Sequence, residues 1–152
     1  MSEENKAVVR RFTEVFETGD LSILDEVLAS NFVDHNPFPE QPPDREGMKQ
    51  LIGMMRATFP DMAVSTDDMI AEGDKVVARW TGTGTHQGEF MGVPATGNKV
   101  TVTGIGIDRV VNGKIVEHWE QFDAMGMMQQ LGAPHLQRHP WPAELPVVPG
   151  HA

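Results

Sequence analysis

The apolar residues of this chain change their spacing once, at Pro60-Asp61, and that switch constrains the fold more than any other feature. Before it they recur at helical spacing. Val8, Phe12, Val15 and Phe16 fall at i, i+4, i+7 and i+8 and make one stripe. Ser2 stands where a helix cap belongs, and Gly19 stops the stripe. Asp20 caps a second helix that turns Leu21, Leu24 and Leu28 inward. After Pro42-Pro43, Asp44 opens a third helix with Met48, Leu51, Ile52, Met55 and Phe59 on one face, and Pro60 ends it. Beyond the switch the period is two. Residues 62–66 predict a short strand that 69–71 extend, Glu72-Gly73-Asp74 a tight turn, and 75–84 a strand carrying Trp80. Residues 100–111 and 114–122 are two further strands joined at Asn112-Gly113, a strong hairpin signal. Helices first and strands afterwards argue for an α+β domain, with helices packed on one face of an antiparallel sheet.

At 152 residues the chain fits one domain with a core of its own. The globular part is expected to span residues 1–132. From 133 to 152, Pro134, Pro140, Pro142, Pro146 and Pro149 preclude a helix or a central strand and predict an extended arm. Cysteine is absent, which removes disulfides, thiolate nucleophiles and thiolate metal sites. Twelve Lys and Arg stand against 22 Asp and Glu, a formal charge of −10 that repels nucleic-acid phosphates and anionic lipid surfaces. No segment approaches a membrane span, so the plain expectation is a soluble, cytoplasmic protein. Ten methionines suit an irregular core and equally an adaptable apolar pocket wall.

Alternation places Val116, His118, Glu120 and Phe122 on one face of the last strand, and Glu117, Trp119, Gln121 and Asp123 on the other. His118 and Glu120 thus pair a base with a carboxylate two residues on. Proton abstraction next to a carbonyl needs a base that later returns the proton, and a donor for the enolate oxygen. A carboxylate desolvated among Met and Phe would have its pKa raised toward neutrality, as that work requires.

Four segments, in this order, resemble the SnoaL-like polyketide cyclases, a predicted ester cyclase family. They are Asn31-Phe32-Val33-Asp34-His35-Asn36-Pro37, Gly84-Thr85-His86-Gln87-Gly88, Gly92-Val93-Pro94-Ala95-Thr96-Gly97, and Gly113-Lys114-Ile115-Val116-Glu117-His118-Trp119 with Gln129-Gln130-Leu131-Gly132 after it. The resemblance implies a nuclear transport factor 2-like cone, a homodimer or homotetramer, and an intramolecular aldol cyclisation of a polyketide ester without any cofactor. Aligned on Gly113-Lys114-Ile115, the family's acid–base aspartate falls at Glu120 and its strand histidine at His118. Its polar pocket residue falls at His35, with Asp34 the adjacent alternate. Glutamine and histidine positions that serve substrate in the family's cyclases are Gly104 and Gly106 here.

Those glycines either permit a bend in the sheet or leave a cavity beside the pair. With a three-residue loop at Asn112-Gly113, Gly106 lies opposite His118 and Gly104 opposite Glu120; with a two-residue turn, Ile107 and Ile105 take those places. His86 stands at the cone mouth or on the surface, and Phe122 and Met55 would supply apolar wall. Trp80 and Trp119 read as core or interface residues, and Asp123 as the cap of a helix over 124–131. His35, His86, His118 and Glu120 offer metal-ligand chemistry, but their spacing matches no standard zinc pattern, so no metal is expected. There is no GxSxG motif for a serine hydrolase.

The resulting expectation is a cyclase, or a related lyase or isomerase, that needs no cofactor and takes a small, largely apolar carbonyl substrate. Glu120 would be its general acid–base, His118 the orienting partner, and His35 a positioner of substrate oxygen. The alternative is a non-catalytic module of the same fold that binds a small ligand or holds subunits together.

Overall fold

The computed structural model describes residues 2–132, so the expected proline-rich arm lies outside the described residues. Helix α1 (Ser2–Thr18) runs into the short α2 (Ile23–Val27), strand β1 (Leu28–Asp34) and helix α3 (Arg45–Thr58). Strands β2 (Ala63–Glu72), β3 (Lys75–Thr85), β4 (Lys99–Val111) and β5 (Lys114–Phe122) follow, and α4 (Ala124–Gln130) closes the described chain. The strands form one curved, unclosed sheet in the order β1-β5-β4-β3-β2.

Local chemistry accounts for most boundaries. Asp44 and Asp123 each accept a hydrogen bond from the backbone N–H three residues on, capping α3 and α4. Gly19, at φ 71°, ends α1 in the left-handed region. Ser2 is the first helical residue rather than a cap, and Asp20 instead closes the turn before α2 by accepting from Ser22. Asn112 and Gly113 both have positive φ, a two-residue type I′ turn between β4 and β5.

Two expectations are corrected. The second helix stops at Val27, and Leu28–Asp34 is a strand that pairs in parallel with β5, so the sheet is mixed rather than antiparallel. Its buried side chains, Leu28, Phe32 and Asp34, share one face but are interrupted by exposed Ser30, and its register against β5 shifts between Leu28 and Val33, so the alternation is too broken to read from the sequence.

The second correction concerns the hairpin. Val111 pairs with Lys114 and Val110 with Ile115, but Arg109 pairs with Glu117, leaving Val116 without a partner. This bulge moves the register by one residue. His118 therefore lies opposite Asp108, Glu120 opposite Gly106, and Phe122 opposite Gly104, which is neither of the two registers that loop length alone allows. Ile115 takes the inward place next to the bulge, and half-buried Val116 leaves the His118 face.

Helices α1 and α3 cover the inner face. Val9, Phe12 and Val15 of α1 and Met48 and Ile52 of α3 pack on Val76, Ala78, Val110 and Ile115. A second cluster under α4 joins Phe59, Phe90, Val100, Met127 and Leu131. No described helix is long and apolar enough to cross a membrane.

Candidate functional site: a buried carboxylate–histidine pocket

Between the two clusters the inner face is not filled. A cavity of about 170 Å³ lies between α1, α3 and the strands. Phe12, Phe16, Met48, Met55, Phe59 and Met62 form much of its apolar wall, and Asp34, Asp108, His118 and Glu120 are the ionisable groups that line it. A volume of that size encloses roughly one aromatic ring.

The ladder brings the polar groups together. Asp34 at the end of β1 pairs with His118, which pairs on its other side with Asp108. His118 Nδ1 donates to Asp108 Oδ1 at 2.6 Å, and Phe12 meets the imidazole edge to face at 5.6 Å. Asp34 is tied off: Oδ1 accepts from Asn36 N–H at 3.0 Å and Oδ2 from Gln41 Nε2 at 3.1 Å. Asn36 Oδ1 in turn accepts from the Glu120 backbone N–H at 2.9 Å, which fixes the strand there. Glu120 Oε1 accepts from the Trp80 indole N–H, while its Oε2 is buried with no partner among the described residues.

These surroundings set the charges. Burial pulls the His118 ring down, but the Asp108 charge and hydrogen bond, helped by Glu120 and Asp34, outweigh it and raise its pKa to about 9. Burial is also the main influence on Glu120, and it pushes that carboxyl up to about 7; His118 and the indole bond oppose the rise, and Asp108 and Asp34 add to it. At neutral pH the site thus holds an imidazolium–carboxylate pair beside a carboxyl poised between its acid and base forms. Such a group can take a proton from a bound molecule and give it back.

Of the residues singled out in the sequence, the cavity brings together Asp34, Met55, Gly106, His118, Glu120 and Phe122. His35 is a correction. It follows Asp34 on the opposite face, stacks on Trp119 at 4.7 Å and reaches Glu117 at 3.3 Å, on the outside of the sheet. His86 is another correction. It is fully buried, neither at the mouth nor on the surface, and its Nδ1 accepts from Thr96 N–H at 3.2 Å to hold the 86–97 loop. Gly104 does not line the cavity, because the Trp80 ring occupies the space its Cβ would take.

Asp108 and Trp80 are the functional candidates that sequence reasoning missed. Asp108 was within reach, since it lies two residues beyond Gly106 on the same alternating face. Among the described residues no three His, Asp or Glu side chains converge in a way that would hold a metal ion.

A helix-covered α+β sheet whose concave face holds a carboxylate–histidine pocket defines the nuclear transport factor 2-like class of cone domain. Residues 6–131 match the family described as SnoaL-like polyketide cyclase, and the chain belongs to that family. It is 32% identical over 130 residues to nogalonic acid methyl ester cyclase of Streptomyces nogalater, covering 83% of this chain and 96% of that protein. It is 31% identical over 141 residues to the aklanonic acid methyl ester cyclase DauD of Streptomyces sp. (strain C5), covering 89% and 82%. The structure of TsrD from Streptomyces laurentii superposes with a TM-score of 0.81 at 32% identity, covering 88% of this chain and 98% of that one.

Proposed function

We propose that the chain is a polyketide cyclase that closes a ring in a neutral polyketide ester by intramolecular aldol chemistry, with Glu120 as general acid–base. The observation that carries this reading is the Glu120 carboxyl. It is half-buried in the pocket, its buried Oε2 has no hydrogen-bond partner among the described residues, and its pKa is raised to about 7. Ionised Glu120 removes the proton alpha to a carbonyl. The charged His118, held by Asp108 through Nδ1, is the donor for the enolate oxygen. The enolate carbon attacks a second carbonyl, one C–C bond forms, and the alkoxide takes back the proton that Glu120 holds. Only one ring's worth of substrate fits inside the cavity, so the rest of a larger polyketide extends through its mouth.

The test is direct. Incubated in deuterated water with an aromatic polyketide methyl ester bearing a side-chain ketone, the protein is expected to yield the cyclised alcohol. It should also place deuterium at the alpha carbon of recovered substrate. Tight binding with neither product nor exchange would turn the chain into a ligand-binding module.

The same family reading includes self-association, and the outer sheet face supplies a surface for it. Ile70, Val77, Ile107 and Trp119 form one cross-strand row over four strands, with exposed Ile105 beside it. A contiguous apolar row on a solvent face favours a partner. Ile107→Lys is expected to convert an oligomer to monomers in sedimentation velocity, and a wild-type monomer at micromolar concentration would refute the assignment.

A further inference from the structure

We propose that Trp80 is the positioning residue of the acid–base carboxylate, reaching it across β4 because Gly104 and Gly106 carry no side chains. The inference rests on the role given to Glu120 above. Trp80 lies on β3 and Glu120 on β5, two strands apart, a separation of roughly 10 Å across the ladder. Only a long side chain can bridge that, and only if nothing stands on β4 between them. Trp80 pairs with Gly104, and Glu120 with Gly106. A Cβ on Gly104 would overlap the edge of the indole, and a Cβ on Gly106 would overlap Glu120 Oε2. The two glycines therefore clear the path that the indole and the carboxylate occupy, rather than leaving empty space for substrate.

The carboxylate needs this support. Glutamate has three side-chain torsions, and a buried carboxylate without a fixed contact would sample several positions at a cost in rate. The groups that face it do not hold it. Asp34 from β1 is tied to Asn36 and Gln41, and Asp108 from β4 is tied to His118. The α1 and α3 residues over the pocket are Val9, Phe12, Thr13 and Phe16, and Met48, Leu51 and Met55. The indole N–H thus anchors Oε1 and leaves Oε2 as the oxygen that exchanges a proton. A donor to the ionised form also restrains the rise in pKa that burial imposes.

The experiment follows the indole and the carboxyl separately from turnover. In protein labelled with 15N-Trp and 13C-Glu, the indole resonance lost in Trp80→Phe identifies Trp80 among the three tryptophans. In the wild type that resonance is expected to titrate with the same midpoint as the Glu120 carboxyl, and the response to vanish in Glu120→Gln. In Trp80→Phe the carboxyl midpoint rises and the acidic limb of kcat/KM rises with it. There kcat falls roughly ten- to a hundredfold with little change in KM. Gly104→Ala, which displaces the ring without removing it, should raise the midpoint in the same direction. An indole resonance that ignores the carboxyl titration overturns the proposal, as does an unchanged pH limb in Trp80→Phe. Indole coupling in a wild-type protein without turnover keeps the positioning role and overturns the catalytic reading instead.

Discussion

Glu120→Gln is expected to lower kcat/KM by roughly 10²- to 10⁴-fold, the usual contribution of a positioned acid–base group. It should also make the protein more stable above neutral pH. Glutamine keeps the length of the side chain and an oxygen that accepts from Trp80, but it carries no titratable proton. The wild-type carboxyl has its pKa raised from 4.5 to about 7, so the folded state holds that proton more tightly than the unfolded state. The stability from this group is complete below pH 4.5 and is lost as pH rises through about 7. By pH 8.5 the loss is of order 3 kcal/mol, and the amide avoids most of it. Urea unfolding should therefore place the variant about 1–3 kcal/mol above wild type at pH 8.5, with the gap closing toward pH 4.5. A stable but inactive variant is the pattern of a strained functional group. Retained turnover would remove Glu120 from the chemistry, and a loss of stability at pH 8.5 would make its charge structural.

The second large effect is at Asp108. His118 has its pKa raised from 6.5 to about 9, again a proton held more tightly in the folded state. Its contribution to stability is complete below pH 6.5 and disappears as pH rises through about 9. Asp108→Asn removes the foremost influence opposing burial, and burial alone disfavours the charged ring. The variant is expected to lose about 3 kcal/mol at pH 6, as when one partner of a buried ion pair is deleted. The difference should shrink at pH 10, where the wild-type ring is also neutral. NMR of the imidazole should show its midpoint falling, and kcat should drop roughly a hundredfold as the charged donor is lost. Equal destabilisation at both pH values would show that Asp108 acts by packing and not by charge.

How much of this was open to the sequence depends on the range of the interactions involved. The helical stripes of α1 and α3, the caps at Asp44 and Asp123, and the turn at Asn112-Gly113 are local, and each was legible within a few residues. The pairing of His118 with Glu120 on one face of β5 was equally legible, because side-chain alternation needs no partner strand.

What faces that pair is a different kind of question. The turn is the expected type I′, yet one unpaired residue, Val116, shifts the ladder and brings Asp108 to His118 and Gly106 to Glu120. A bulge leaves no mark in period or propensity, since its cost is recovered in contacts with other strands. Strand β1 escaped for a related reason: exposed Ser30 interrupts its inward row and its partner, β5, is about 85 residues away in the chain. Its single-residue alternation decides that Asp34 enters the pocket while His35 stacks on Trp119 outside. The sequence by itself determined the helical stripes, four of the five strands and the common face of His118 and Glu120. Tertiary structure alone decided the partners of that pair, because an imidazolium and a buried carboxyl take their charge states from whatever the ladder and the helices bring against them.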